Sequence, residues 1–269
     1  NGQRLLFTGV YQTMKTTFFS DWFYLSVRNT KQIWRPLLAL IPSLFIPIFF
    51  FAVNSISFKA FANLPGFPTD SYLKFIAPTA LFTAIFFSAG NAGIELVLDI
   101  SSGYFKKLAI MPINKLAIIL GKLSEVAVQA ILQGLVVLLL LLIVGVRVET
   151  GLLGILAIFG VMILFAMGWS CVGLIAALRT ENPRLVQSMF VLVFPLLYLT
   201  TSQTPKELLP SWYVDLISYN PVTYIIEAVR GLMIRGWQDP AIWQGAVVAA
   251  GLFVVMVALT LLAFRRALK

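Results

Sequence analysis

Six long uncharged apolar runs, at residues 36–58, 75–94, 126–146, 151–178, 185–205 and 241–264, alternate with short polar stretches along the chain. A helix needs about 20 apolar residues to cross the hydrocarbon of a bilayer. The pattern therefore predicts an all-α membrane protein with six transmembrane helices. An isolated strand in lipid would leave its backbone groups unpaired, and the runs are too continuous for the alternating strands of a barrel.

Composition supports lipid as the main solvent. Hydrophobic residues make up 59% of 269 positions and charged residues only 12%, whereas soluble domains carry roughly 25% charged residues. The net charge of +9, with no histidine, would suggest nucleic acid in a soluble protein. In a membrane protein it reads as basic residues flanking the spans. An even number of spans puts both termini on one side. That side collects Arg4, Lys15, Arg28, Lys31, Arg35, Lys106, Lys107, Lys115, Lys122, Arg179, Arg184, Arg265, Arg266 and Lys269. The other side has only Lys59, Lys74, Arg147, Lys206, Arg230 and Arg235. The positive-inside rule then makes both termini cytoplasmic, in a multi-pass protein of the cell's inner (plasma) membrane. The first 33 residues lack the compact apolar core of a signal peptide. The single cysteine, Cys171, cannot form an intrachain disulfide and is expected to serve helix packing.

Three segments do not span. Residues 10–31, within an N-terminal stretch 1–33, mix Tyr11, Phe18, Phe19, Trp22, Phe23, Tyr24 and Leu25 with Lys15, Asp21 and Arg28, and predict an interfacial helix. It is either a plain anchor or an elbow that touches a partner. In residues 99–122, Asp99, Ser101 and Ser102 are candidate N-caps for a short amphipathic helix through Tyr104, Phe105, Lys106, Lys107, Leu108 and Met111. Pro112 stops it, and Asn114 can cap the next helix. The apolar positions suit a docking knob for a soluble protein rather than a loop touching only water. In residues 206–237, Asn220-Pro221 is a helix start, and Val222, Ile225, Ile226, Val229 and Met233 recur at helical spacing. Glu227 and Arg230 sit three apart and can pair. This segment reads as a helical hairpin re-entering the outer leaflet.

Polar residues within the runs form two stripes, Ser88, Asn91 and Glu95 in the second, and Glu125, Gln129 and Gln133 in the third. They serve either interhelical hydrogen bonds or a polar path for protons. Phe45, Phe49, Asn54, Phe82, Phe86 and Tyr198 are candidates for a substrate path, because aromatic side chains facing a cavity suit an amphipathic ligand; facing lipid they are bland. Ala166–Ser170 and Gly173–Ala177 are small residues four apart, a close-packing face.

The stretch from Asn182 to Arg230 resembles the second half of ABC-2 type permeases. It carries Leu209-Pro210-Ser211-Trp212, Asn220-Pro221-Val222-Thr223-Tyr224 and Glu227-Ala228-Val229-Arg230-Gly231. The inner loop is similar too, with Ser102-Gly103, Lys106-Lys107, Met111-Pro112 and Gly121-Lys122. One departure is Leu199-Thr200-Thr201-Ser202-Gln203-Thr204-Pro205, where many members have Leu-Ser-Gly-x-x-x-Pro. The resemblance covers almost the whole chain as a single transmembrane domain. It implies a homodimeric half-transporter served by two copies of a separate ABC ATPase, which carries the ATP and Mg; no cofactor binds the chain itself. Residues 99–122 would be the coupling loop, contacting the ATPase through Gly103, Tyr104, Phe105, Lys106, Lys107, Met111 and Pro112. The N-terminal helix would be the elbow, and Asn220, Pro221, Tyr224, Glu227 and Arg230 the outer gate. The Thr-Tyr after Asn-Pro is closer to the drug-export branch.

The chain's own motifs agree. A phosphate-cradling Gly-x-x-x-x-Gly-Lys-[Ser/Thr] loop is missing: Gly121-Lys122-Leu123-Ser124 comes near, but Leu116 stands where the first glycine belongs. With no histidine there is no Ser/His/Asp set, so the chain is not expected to be an enzyme. The leading expectation is an ATP-driven exporter of an amphipathic drug, lipid or glycolipid working by alternating access. The alternatives are a proton-coupled secondary transporter using Glu95 and Glu125, a glycan-exporter subunit, and a non-transporting anchor for a cytoplasmic complex.

Overall fold

The computed structural model describes residues 18–34, 37–111 and 113–267, and no strand occurs among them. In chain order the helices are α1 (Phe18–Trp34), α2 (Leu37–Ser57), α3 (Tyr72–Gly90), α4 (Ala92–Ser101), α5 (Tyr104–Ile110), α6 (Lys115–Ile143) and α7 (Gly151–Thr180). They continue with α8 (Pro183–Ser188), α9 (Val193–Tyr198), α10 (Ser211–Ser218), α11 (Pro221–Arg230) and α12 (Pro240–Ala267).

Four helical stretches among the described residues are long and apolar enough to cross a bilayer: Tyr72–Ser101, Lys115–Ile143, Gly151–Thr180 and Pro240–Arg266. The first predicted run lies in α2, whose Leu44–Ser57 portion is apolar but shorter. The fifth run differs from its expectation. It breaks into α8, a 3₁₀ turn at Met189–Leu192, and α9, and leaves helical geometry at residue 199. The sequence supplies the reason. Pro195 has no N–H for the ladder. Beyond it, Thr200 Oγ1 donates to Leu197 O at 2.6 Å, Ser202 Oγ donates to the same carbonyl at 3.1 Å, and Ser202 N donates to Thr200 Oγ1 at 3.1 Å. Hydroxyls that bond the local backbone compete with the helix.

Helix α7 packs against α3, α4, α6, α11 and α12. Association in lipid depends on close packing rather than on hydrophobic expulsion, and small residues provide it. A Cβ on Gly93 of α4 would lie 2.6 Å from the backbone of Gly173, and one on Gly168 would lie 3.0 Å from Phe253 N of α12. Gly173 of the expected small face is thus at a contact, with Gly93 as its partner. Cys171 is buried beside it, its thiol donating to Met167 O at 3.3 Å. Helix α1 lies along α6. Leu25 meets Gly121, and Trp22 Nε1 donates to Ser124 Oγ at 2.9 Å.

The loops define two ends of the bundle. One carries α5, the start of α6 and the end of α12. The other carries α10, α11 and the start of α12, where Thr150 Oγ1 donates to Leu232 O at 2.7 Å. Replacing Gly93 by alanine forces α4 and α7 apart. Overpacking of this kind costs about 1–3 kcal/mol, so Gly93→Ala is expected to lower the thermal midpoint in detergent by several degrees. Gly160→Ala, whose Cβ would meet nothing, should leave it unchanged; equal midpoints for the two variants would contradict this packing.

Candidate functional site

The α5 end is built around a short protruding helix. Asp99, Ser101 and Ser102 do not cap it, contrary to the sequence expectation. Helix α4 runs through to Ser101, where the Ser101 and Ser102 hydroxyls donate back to Leu98 O and Asp99 O. Gly103 takes the N-cap position with φ +74°, a backbone conformation that favours glycine. Asn114 does cap α6, accepting from Leu116 N at 2.9 Å. The root of α5 is held from two sides. Arg28 of α1 lies 3.4 Å from the centre of the Tyr104 ring and donates to Asp99 Oδ1 at 3.4 Å. Phe105 points inward and meets the Phe264 ring of α12 edge-on at 5.5 Å. Phe105, expected on the docking face, is therefore a core residue, 8% exposed, as is Leu108. The outward tip belongs to Ile110, 84% exposed, with Met111 and Lys107. The sequence reading gave the docking face to Phe105 rather than Ile110; the position of Ile110 opposite Phe105 and Leu108 on the helix was the available signal. Pro112 and the side chain of Lys106 lie outside the described residues.

The other end is held by buried polar groups. Helix α11 packs its predicted apolar stripe, Val222, Ile225, Ile226 and Val229, against α3, α7 and α12. Asn220 caps it by accepting from Val222 N at 3.0 Å, and its amide donates at 2.7 Å to both Leu196 O and Leu199 O. Arg230 is buried against the Phe75 ring, 4.0 Å from its centre. It donates to Thr201 O at 2.9 Å and to the Glu227 carboxylate. Thr201 Oγ1 also donates to Glu227 at 2.5 Å, and Arg235 donates to the other Glu227 oxygen at 2.9 Å. Tyr224 closes the hairpin by donating to Ser218 O at 2.9 Å. The five expected residues thus sit on α11 or at its cap, four with polar contacts that tie the hairpin together. Thr201, Arg235 and Asp239, which pairs with Arg235 and caps Ala241 N at 2.8 Å, were not singled out from sequence. Glu227 and Arg235 border a cavity of about 670 Å³ between the hairpin and α12.

The candidate path residues do not form one site. Phe82 and Phe86 pack at tilted angles against Phe165 in the core, Phe86 also meeting Trp169. They are packing residues, a correction to the expectation. Phe45 and Phe49 stack on each other on the exposed face of α2. Asn54 and Tyr198 do come together, bordering a narrow cleft between α2, α3 and α9 with Phe50, Thr79, Phe194 and Gln203. The two polar stripes also meet, but through a residue that sequence reasoning placed in the loop. Lys122 of α6 sits with its Nζ 2.7 Å from both Glu95 and Glu125, and Gln129 Nε2 is 3.5 Å from Glu95. No group of three or more metal-ligating side chains occurs among the described residues.

Electrostatics give a test of the α11 end. Burial alone would raise the Glu227 carboxyl, but the Arg230 charge, the Thr201 hydroxyl and Arg235 together hold it below the usual carboxylate range. A lowered folded-state pKa stabilises above the unfolded value, about 4.3, and that contribution fades as pH falls through the folded value. The stability gap between the protein and Glu227→Gln is therefore expected to be flat from pH 7 to about 5 and to shrink below about pH 4. A gap that widens on acidification would contradict the arrangement. Asn220→Ala, which strips a cap and two carbonyl partners, is expected to cost about 3 kcal/mol in denaturant unfolding.

Comparison with known proteins places this architecture. Residues 20–234 match the ABC-2 type transporter family. The chain is similar to the "Daunorubicin resistance ABC transporter permease protein DrrB1" of Streptomyces coeruleorubidus, at 27% identity over 87% of this chain and 84% of that one. It is 24% identical to the "Probable doxorubicin resistance ABC transporter permease protein DrrC" of Mycobacterium tuberculosis, over 87% and 84% of the two chains. The "Putative transport permease ycf38" of Cyanophora paradoxa is 25% identical over 80% and 74%. With four apolar helices of spanning length and a family match across most of its residues, this multi-pass membrane protein belongs to the ABC-2 type transporter family.

Proposed function

We propose that the chain is the membrane subunit of an ATP-driven exporter for an amphipathic substrate, drug-like in the manner of its resistance-named relatives. The ATPase is a separate chain, present in two copies, and binds the ATP and Mg. Two copies of the permease form the path. The α5 end faces the cytoplasm, with both termini, and α2 and the broken α8–α9 stretch complete six crossings. Substrate moves by alternating access past the cleft at Asn54 and Tyr198, where aromatic rings with a few amide and hydroxyl groups suit an amphipathic molecule. The α10–α11 hairpin re-enters the outer leaflet and closes the exit. The irregular backbone beside it, at Thr200, Thr201 and Ser202, is covered by protein, the condition under which such structure is tolerated in a bilayer.

The observation that carries this reading is the knob. Its root is clamped to α1 and α12 by Arg28, Tyr104 and Phe105, while its apolar tip is left uncovered. A push at Ile110 and Met111 is thereby transmitted to α4 and the bundle. The inner helix α1 acts as the elbow that braces the knob. A proton-driven carrier is the weaker reading, because Glu95 and Glu125 are both held in contact with Lys122.

Ile110→Asp is expected to abolish co-purification of the partner ATPase and to cut ATP-dependent export by more than tenfold, with an unchanged thermal midpoint. Phe105→Asp should instead lower the midpoint, since it places a charge in the core. Full ATPase binding and export in Ile110→Asp would overturn the docking assignment.

A further inference from the structure

Past the end of α11 the helix widens. Gly231–Arg235 form a single π turn, in which the Gly236 N–H reaches back five residues to Gly231 O at 2.8 Å rather than four to Leu232 O. Such turns are rare and recur at functional sites. The cause lies in the neighbouring loop. The carbonyls that a continuing α-helix would use next, Leu232 O and Met233 O, are taken from outside. Thr150 Oγ1 donates to Leu232 O at 2.7 Å, and Glu149 N donates to Met233 O at 3.1 Å. Thr150 stands at the N-cap of α7, a position where a threonine hydroxyl ordinarily caps its own helix, yet its side chain makes no cap bond there. The hydroxyl also has a seat. A Cβ on Gly154 would lie 1.6 Å from Thr150 Oγ1, so the first turn of α7 is left bare where the hydroxyl sits. The far end of the π turn carries Arg235, which holds Glu227, eight residues back on α11, and Asp239 at the start of α12. Dropping the extra residue from the turn swings Arg235 about a quarter turn around the helix axis, off Glu227.

We infer that Thr150 is the latch of a register switch at the outer gate. With its hydroxyl on Leu232 O the turn is π, and Arg235 ties Glu227 to Asp239. With the hydroxyl withdrawn, the Gly236 N–H takes Leu232 O, Arg235 N takes Gly231 O, and the turn becomes α. Arg235 then releases Glu227. Both carbonyls are served in either register, as buried backbone requires, and helix register shifts of this kind take microseconds to milliseconds. Helix α7 packs against α4, which leads into the knob, so a shift of α7 reaches the gate through this one hydroxyl. The inference deepens the exporter reading by naming what holds its gate, and rests on that reading for its role in transport; the switch itself does not.

The test is a set of thermal midpoints of the purified chain in detergent. Arg235→Gln is expected to lower the midpoint by about 3 °C in the wild-type and Thr150→Ser backgrounds. In Thr150→Val, which lacks the hydroxyl, and in Gly154→Ala, which displaces it, the same change is expected to cost less than about 1 °C. Thr150 bonds Leu232 rather than Arg235, and two merely structural ties without a shared partner add. Additive losses in both Thr150→Val and Gly154→Ala, or a loss of the Arg235→Gln effect in Thr150→Ser, would overturn the switch. Additive losses in a chain that exports with its ATPase remove this inference alone. Non-additive losses in a chain that exports nothing with its ATPase present remove the exporter reading and leave the switch standing.

Discussion

An unpartnered carbonyl buried in an apolar medium costs about 1–3 kcal/mol, and this constraint organises the α11 end of the molecule. Residues 199–205 leave helical geometry while Thr200, Thr201 and Ser202 are buried. Their carbonyls cannot turn to water, so other elements supply the donors. Asn220 serves Leu196 and Leu199, Arg230 serves Thr201, Thr79 serves Ser202 at 3.1 Å, and Tyr72 serves Gln203 at 2.9 Å. Side chains from α3 and α11 thus stand in for a missing helix ladder. The hairpin and α3 are thereby both tied to one irregular stretch, and moving either breaks bonds to it.

The same constraint governs the charges. Arg230 survives burial because Glu227, Thr201 and the Phe75 ring surround it, and Glu227 is in turn shared with Arg235. Removing one partner from such a group costs more than the pair contributes, because the other charge is left stranded. At the opposite end Lys122 is likewise embedded, between Glu95 and Glu125.

Much of this was legible in the sequence, and the failures have physical causes. The runs giving α6, α7 and α12 are continuous and uncharged, so their helices follow from length alone. Asn220-Pro221 and Asn114 marked helix starts because cap chemistry is local. The Glu227–Arg230 pair followed from spacing. The fifth run misled because hydropathy does not register the competition between Thr and Ser hydroxyls and the helix ladder. Lys122 was assigned to a loop by its charge, though it lies two turns into α6 against partners 27 and three residues away, one of them on another helix. Phe105 was placed on the docking face and Phe82 and Phe86 on the path because an aromatic ring reads alike toward core, cavity or partner. Gly93 could be paired with Gly173 only once the helices were placed.

Under the proposed function, this ABC-2 family member is driven by a separate ATPase through the tip of α5. The most direct measurement is transport in proteoliposomes containing the purified chain with or without its ATPase, following uptake of a fluorescent amphiphile after adding ATP or imposing a proton gradient. Uptake that needs both ATP and the second protein, and ignores the gradient, is the expected result. Uptake by the chain alone on the gradient would contradict it.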